Sequence, residues 1–306
     1  MARHNLVFLY GCVLKKPTIV TDNDGNLIYG MGFITVIRGS RKIEDNRDKT
    51  RTDSPIVLSL EPSIVKEMSL WDKGDIVEIK GTIATKNIKK TSECPNCNAK
   101  NKNAGVQVYV NPFFIKKRAH CDNKEEAMKL LQENKEISNQ VFVFGTLVRD
   151  PKKITPKLGL FVTQYMIALN RKYRIRTDDP NIKTDYPWVK NYGERALEDK
   201  KRLHVGSEVY IDGCLQARSV NRHCICENCG SKYDWKDRAL EIVPYSTEYI
   251  GEFYSDEEIK ENERRQYEQL RAAVLDGVTS QCKRKNANDD IIVKEDIEAG
   301  LDIDCD

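Results

Sequence analysis

Four cysteines in two short motifs are the side chains of this 306-residue chain best suited to chemistry. Cys94-Pro-Asn-Cys97 and Cys226-Glu-Asn-Cys229 each present two thiols at the spacing that grips a metal ion from a tight turn. Zinc in a structural site takes four thiolate or imidazole ligands, so each motif alone is half a site. Three arrangements are compatible with the spacing. In the first, the two motifs meet on one structural Zn2+ held by Cys94, Cys97, Cys226 and Cys229. In the second, His223 or Cys224 completes a local site around the second motif, and the first borrows His120 or Cys121. In the third, the thiols bind no metal. A closed four-thiolate shell leaves no coordination position for catalysis. It would instead contribute folding free energy and clip two hairpins together.

The motifs are 132 residues apart, and Asp53/Asp185, Pro55/Pro187, Gly74/Gly206 and Gly81/Gly213 keep that shift. A constant offset over so long a span marks a duplicated unit. Each copy reads as period-two alternating strands with glycine at bends and one short helix between strands three and four. That pattern suits a small five-stranded barrel. In the first copy the strands run through Asn5–Gly11, Met31–Ile37, Pro55–Leu60, Ile76–Ile83 and Val106–Val110, with the Cys motif on a long hairpin between the last two. The second copy repeats them through Val141–Gly145, Leu160–Arg171, Asp185–Gly193, Val209–Ala217 and Ala239–Val243. The expected organisation is an all-β protein with a first barrel and its hairpin over 1–118, a linking helix over 119–137, and a second barrel and hairpin over 138–254. A C-terminal helix and an acidic tail occupy 255–306. Ser255 and Glu258 form a capping box for that helix.

Hydrophobic residues make up 40% of the chain and charged residues 32%, which suits small cores and much solvated surface. The longest apolar runs fall far short of the roughly 20 residues needed to span a bilayer. Ten cysteines without a secretory signal point to a reducing, cytoplasmic setting with no membrane partner. Charge is unevenly spread. Residues 287–306 carry eight acidic groups against Lys294, a net −7 that leaves +10 on the rest of a chain whose total is +3. A basic body suggests a polyanionic ligand, and a tail so acidic is expected to be disordered.

Phe144-Gly-Thr-Leu-Val-Arg-Asp-Pro151, Ile167-Ala-Leu-Asn-Arg171, Asp185 to Gly193 and Gly206 to Arg218 resemble, in order and spacing, the bacterial single-stranded-DNA-binding protein family. The first copy resembles it more faintly, through Tyr10-Gly11, Pro17 and Gly74 to Ile83. The resemblance implies oligonucleotide-binding (OB) barrels, sequence-tolerant binding of single-stranded DNA, homo-oligomers, and an acidic tail that docks replication, recombination or repair proteins. Two departures stand out. The usual protomer has one barrel, whereas a tandem pair amounts to a covalent dimer. The usual tail ends in an apolar aromatic tip, whereas this one ends Leu301-Asp-Ile-Asp-Cys-Asp306. A plasmid, phage or conjugative-element version fits both.

Single strands are held by aromatic faces for bases and by Lys or Arg for phosphates. Tyr186, Trp188, Lys190 and Tyr192 alternate along one strand and so project from one face. Tyr192 also falls where the family pattern has a stacking aromatic. The competing arrangement points these rings into the core and leaves Val189 and Asn191 in solvent. Arg171, Lys172 and Arg174 follow the second strand as phosphate candidates. By the 132-residue shift the first copy has Ser54, Ile56 and Leu60 in place of the three rings. It would bind through Tyr29, Phe33, Arg38, Arg41 and Lys42, or act as scaffold. Trp235, in the second hairpin, would stack on a base or cover the metal.

No phosphate-binding loop, zinc-protease helix, nucleophile elbow or dinucleotide fingerprint is present in the sequence. A non-enzymatic binding protein is expected. The other readings are an adaptor or RNA-binding barrel protein in a nucleoprotein complex, and a metal-dependent nuclease, which predicts cleavage where a binding protein predicts protection.

Overall fold

The computed structural model describes residues 4–39, 51–154, 161–171, 176, 177, 179 and 181–285, the side chains of 275–285 excepted. Arg41, Lys42, Lys172, Arg174 and the acidic tail lie outside these residues. The chain divides into one unit reaching Phe253 and a second from Tyr254 onward.

The first unit is mostly β. Its strands are β1 (Asn5–Val13), β2 (Thr18–Thr21), β3 (Leu27–Arg38), β4 (Arg51–Asp53), β5 (Ile56–Ser59), β6 (Asp75–Glu93) and β7 (Lys100–His120) in the first copy. The second copy has β8 (Asn139–Leu147), β9 (Lys152–Ile154), β10 (Val162–Asn170), β11 (Thr184–Asp185), β12 (Trp188–Tyr192), β13 (Glu208–Ile225) and β14 (Lys232–Gly251). Helices α1 (Pro62–Ser69) and α4 (Glu194–Arg202) occupy the same place in the two copies, and α2 (Lys124–Glu133) and α3 (Lys135–Ser138) link them. In the second unit, α5 (Asp256–Lys285) starts at the expected capping box: Glu258 N–H donates to Ser255 Oγ at 3.3 Å, and Ser255 N–H to Glu258 Oε2 at 2.8 Å. Among the described residues no helix is long and apolar enough to cross a membrane.

Each copy closes on itself. β1 pairs with β3, β3 with β5, β5 with β7, β7 with β6 and β6 with β1, a five-stranded barrel. β8, β10, β12, β14 and β13 repeat the circuit. Alternation drives closure: Val7, Leu9 and Val13 of β1, and Val141, Val143 and Leu147 of β8, turn inward and are buried. The barrels pinch where β6 meets β7 and β13 meets β14. A Cβ at Gly81 would stand 2.6 Å from Asn111 O, and one at Gly213 would stand 2.5 Å from Val243 O, so only glycine fits at either position.

The two barrels are joined edge to edge. β1 and β8 pair antiparallel with Val7 opposite Val141, and Gly11 and Gly145 are the matching glycines of the two strands. Val7 thus pairs with its own counterpart, which relates the copies by an approximate two-fold axis through that pair. Asn5 and Asn139 flank it and repeat one device. Asn5 Nδ2 donates to Ile83 O at 2.9 Å and its Oδ1 accepts from Ile83 N–H at 2.8 Å. Asn139 does the same with Leu215, both at 2.9 Å. Both amides are buried, and each bonds through its nitrogen and its oxygen to one backbone residue, so each pins the strand beside it.

Candidate nucleic-acid interface and metal clasp

β6/β7 and β13/β14 continue beyond the barrels as two long hairpin arms, roughly Thr85–Val108 and Ala217–Leu240. Their tips carry the cysteines. Cys94 N–H donates to Ala99 O at 3.0 Å, and Asn98 N–H to Cys94 O at 2.9 Å, with Asn98 at φ +57°. The second tip repeats this: Cys226 N–H bonds Ser231 O and Gly230 N–H bonds Cys226 O, both at 2.9 Å, with Gly230 at φ +69°. This turn aims both thiols of each motif the same way.

The tips meet. Cys94 Sγ lies 3.7 Å from Cys229 Sγ, Cys97 Sγ lies 3.6 Å from Cys226 Sγ, and all four sulfurs fall within 4.8 Å of one another. Four sulfurs at about 2.3 Å from one tetrahedral zinc stand roughly 3.8 Å apart, so the donor set has the size the ion requires. The sulfurs also have donors around them. Asn101 Nδ2 is 3.6 Å from Cys226 Sγ, and Asn96 Nδ2 is 3.8 Å from Cys229 Sγ. The Ser231 hydroxyl, 3.3 Å from Cys229 Sγ, is the chief cause drawing that thiol down to about 6; backbone N–H groups, that of Cys229 first, lower Cys226. The ligands of the local alternative are used elsewhere. His223 Nδ1 faces Asp234 at 2.5 Å, and His120 Nδ1 faces Asp75 at 2.7 Å. Cys224 accepts from Trp235 Nε1 at 2.9 Å, and Cys121 is buried beside α2.

Below the tips the arms hold each other. Ser92 Oγ and Tyr233 OH are 2.6 Å apart, and Asn103 Oδ1 is 3.3 Å from Cys224 Sγ. Lys90 Nζ reaches Asp237 at 2.6 Å; burial raises the Asp237 pKa, but the hydrogen bond and charge of Lys90, with hydrogen bonds from Arg238 N–H and Arg222, outweigh it and keep the pKa low. At their roots the arms are strapped reciprocally to the other copy. Asp53 Oδ1 accepts from Ala217 N–H at 2.9 Å, and Asp185 Oδ1 from Thr85 N–H at 2.7 Å. Residues 85 and 217 are again 132 apart, so the two straps are one contact made twice.

Those straps employ two of the residues that the sequence offers for phosphate. Arg38 Nε is 3.1 Å from Asp53 Oδ2. Arg171 grips Asp185 with two nitrogens at 2.6 and 2.7 Å, and its side chain is only 7% exposed. Both guanidiniums neutralise buried carboxylates, which is a structural task.

The aromatic row does face outward. Val189 and Asn191 are 0% and 1% exposed, whereas Trp188, Lys190 and Tyr192 are partly exposed and Tyr186 is 47% exposed. Met166 and Gln164 of β10 lie opposite Trp188 and Lys190. The Arg149 guanidinium sits 5.8 Å from the Trp188 ring, and Lys190 Nζ 5.7 Å from that of Tyr192, whose hydroxyl donates to Gln216 at 3.1 Å. Burial, with Arg218 beside it, lowers the Lys190 pKa. Tyr186, Trp188 and Trp235 line one cavity of about 980 Å³ with Arg218, Arg222 and Lys102.

The first copy keeps a ring at the equivalent spot, on the neighbouring strand. Phe33 pairs with Ile56 as Met166 pairs with Trp188. A position-by-position shift along β5 misses this, because the ring has crossed to β3. Lys15, the counterpart of Arg149, stands 5.1 Å from Phe33, and Arg238 of the second arm stands 5.4 Å from it on the same ring. Arg238 also donates to Ser54 O.

Residues 138–224, the bulk of the second copy, match the model of the single-strand binding protein family. Among solved structures, a deletion variant of the single-stranded DNA binding protein from Thermus aquaticus is 18% identical. It aligns over 84% of this chain and 100% of its own, with a TM-score of 0.53. The wild-type protein from the same organism is 16% identical, over 84% of this chain and 97% of its own, with the same TM-score. At that identity the likeness concerns the fold. The chain thus has the tandem OB-barrel architecture, and through its second copy it resembles the single-strand binding protein family.

Proposed function

We propose that this is a non-enzymatic protein that binds and protects single-stranded DNA without marked sequence preference. The observation that carries the reading is the outward aromatic row of Trp188 and Tyr192 on β12 and Tyr186 just before it, with Lys190 and Arg149 against it and a basic cavity alongside. Bases stack on such rings whatever their identity, and the cations take the phosphates. Phe33 between Lys15 and Arg238 extends the path to the first copy, and Trp235 adds a ring on the arm. Arg38 and Arg171 are left out, since they hold the straps. Lys172, Arg174, Arg41 and Lys42, which lie outside the described residues, stay in the proposal as phosphate contacts. Replication, recombination or conjugative transfer is the process such coating serves, with the acidic tail as the docking segment for protein partners and with homo-oligomers as the assembled form.

The four cysteines hold one structural Zn2+ in this reading. The sulfur spacing and the surrounding N–H and O–H donors fit that ion, and binding requires the thiols to release their protons. The ion supplies a cross-link and no catalytic position.

The test is a salt-titrated fluorescence binding series on oligo(dT), its duplex and matched single-stranded RNA. Tight binding to oligo(dT) that weakens steeply with salt, weak binding to duplex and no cleavage in divalent metal are expected. Indifference to oligo(dT) at low ionic strength overturns the reading, and a preference for RNA redirects it to the RNA-binding alternative.

A further inference from the structure

The groove beside Trp188 is not built by the second copy alone. Its floor is Tyr186, Trp188, Gln164 and Met166 of the second barrel, but one wall comes from Asn87, Lys90 and Lys102–Val106 of the first copy's arm. The exchange is mutual, because Arg238 of the second arm stands over Phe33 of the first barrel. Each barrel's aromatic site therefore takes a side from the other copy's arm.

The arms are strapped at their roots and joined midway by Lys90–Asp237 and Asn103–Cys224, so what further sets the crossing of their outer ends lies at the tips. The cross-arm contacts there are the four sulfurs, Asn101 Oδ1 accepting from Glu227 N–H at 3.0 Å, Asn96 Nδ2 to Ser231 Oγ at 3.0 Å, and Ser92 to Tyr233. The polar bonds are few and are made by thin two-stranded ribbons, which are marginal on their own in water. A shared tetrahedral ion would take two sulfurs from each tip, and the observed spacing of 3.6–3.7 Å between sulfurs of opposite tips suits that bridge. A bound metal would add a four-sulfur cross-link to these few polar bonds.

We infer that the four-cysteine clasp is a metal-operated latch on the nucleic-acid groove: with zinc bound, the first arm is held against the second barrel's aromatic platform, and Lys102 adds to the phosphate contacts there. Metal loss loosens the outer part of each arm beyond its root strap and weakens that side of each platform. This rests on the proposal that the groove takes single strands. The latch thus makes affinity for single strands depend on zinc through geometry, with no metal–DNA contact.

The experiment uses the full chain, zinc-loaded, then stripped by a chelator and reloaded. Affinity for labelled oligo(dT) and its salt slope are read by anisotropy, and the fold by far-ultraviolet circular dichroism. Losing one phosphate contact lowers the slope by about 0.7. It weakens binding roughly threefold to fivefold at low salt. Zinc should restore both, and hydrogen exchange should show residues 86–104 protected by oligo(dT) only in the zinc-loaded form. Unchanged affinity and slope in stripped protein that keeps its ellipticity overturn the latch. Should stripping unfold the barrels, Lys102→Glu in zinc-loaded protein decides: unaltered binding with normal zinc content overturns it, and weaker binding with a shallower slope supports it. Zinc-loaded wild-type protein that ignores oligo(dT) brings down the proposed function and the latch together, whereas zinc-independent binding brings down the latch alone.

Discussion

Removing the stacking rings of β12 separates the two halves of the binding mechanism. Trp188 and Tyr192 project from the outer face of a strand whose inward residues, Val189 and Asn191, are buried. Trp188→Ala with Tyr192→Ala therefore leaves the inner face intact. Each ring contributes about 1–3 kcal/mol per stacked base. Two rings account for about 2–6 kcal/mol, a loss of roughly 30-fold at the low end and beyond 10⁴-fold at the high end. The cations stay: Lys190, Arg149 and Lys102 are untouched. The slope of log affinity against log salt should hold its wild-type value while the whole line drops, because that slope counts phosphates neutralised and not bases stacked. The assay is anisotropy of labelled oligo(dT) at four or five salt concentrations. Thermal melting serves as control, since both rings lean partly on the sheet and some loss of stability is expected. Affinity within threefold of wild type in a folded variant would refute the stacking role. A changed slope with no drop in affinity at low salt would show that the rings act by orienting charge.

Three further outcomes follow from the geometry. Asp185→Asn breaks the buried pair with Arg171 and weakens the strap to Thr85, so unfolding in urea should show a loss of about 3–5 kcal/mol, the usual cost of stranding a buried charge; adding Arg171→Met should recover part of it, and no recovery would mean the strap matters more than the pair. Asp199 is buried against Asn191 and Tyr249, and burial raises its pKa to about 6. The folded chain thus keeps a proton that the unfolded chain releases near pH 4, so stability from this group is present below about pH 4, falls as pH rises and levels off above 6, a change of about 3 kcal/mol. The wild-type-minus-Asp199→Asn stability difference should trace that curve, and a difference flat between pH 4 and 7 would remove Asp199 as its source. Metal analysis of purified protein should find one zinc per chain, with Cys97→Ser lowering it; two ions per chain would point to separate local sites.

The cysteine motifs, the barrel strands and the capping box were legible in the sequence because each is local. A Cys-x-x-Cys turn, a period-two strand and a Ser–Glu pair three residues apart carry their geometry within a few residues. The duplication was legible too, as a constant offset, and it made a shared four-cysteine site the simplest arrangement. The outward direction of Trp188, Lys190 and Tyr192 was legible as a choice between two faces, since alternation fixes which residues share a face and not which face is wet.

Other features needed the tertiary structure. Asp185 looks like one more surface acid until the packing of the copies brings Thr85, 100 residues away in sequence, to its carboxylate. Arg171 reads as a phosphate ligand until that carboxylate claims it. The ring of the first copy could not be found by offset, because Phe33 lies across a strand pair from the expected place and only the pairing of β3 with β5 shows that the two places are one site. Sequence determined which units exist and what chemistry they carry, since strands, turns and thiol pairs depend on neighbours along the chain. Which arm walls which groove, and which charges remain for a ligand, was decided by the edge pairing of β1 with β8, a contact between residues more than 130 positions apart at its centre that no local pattern encodes.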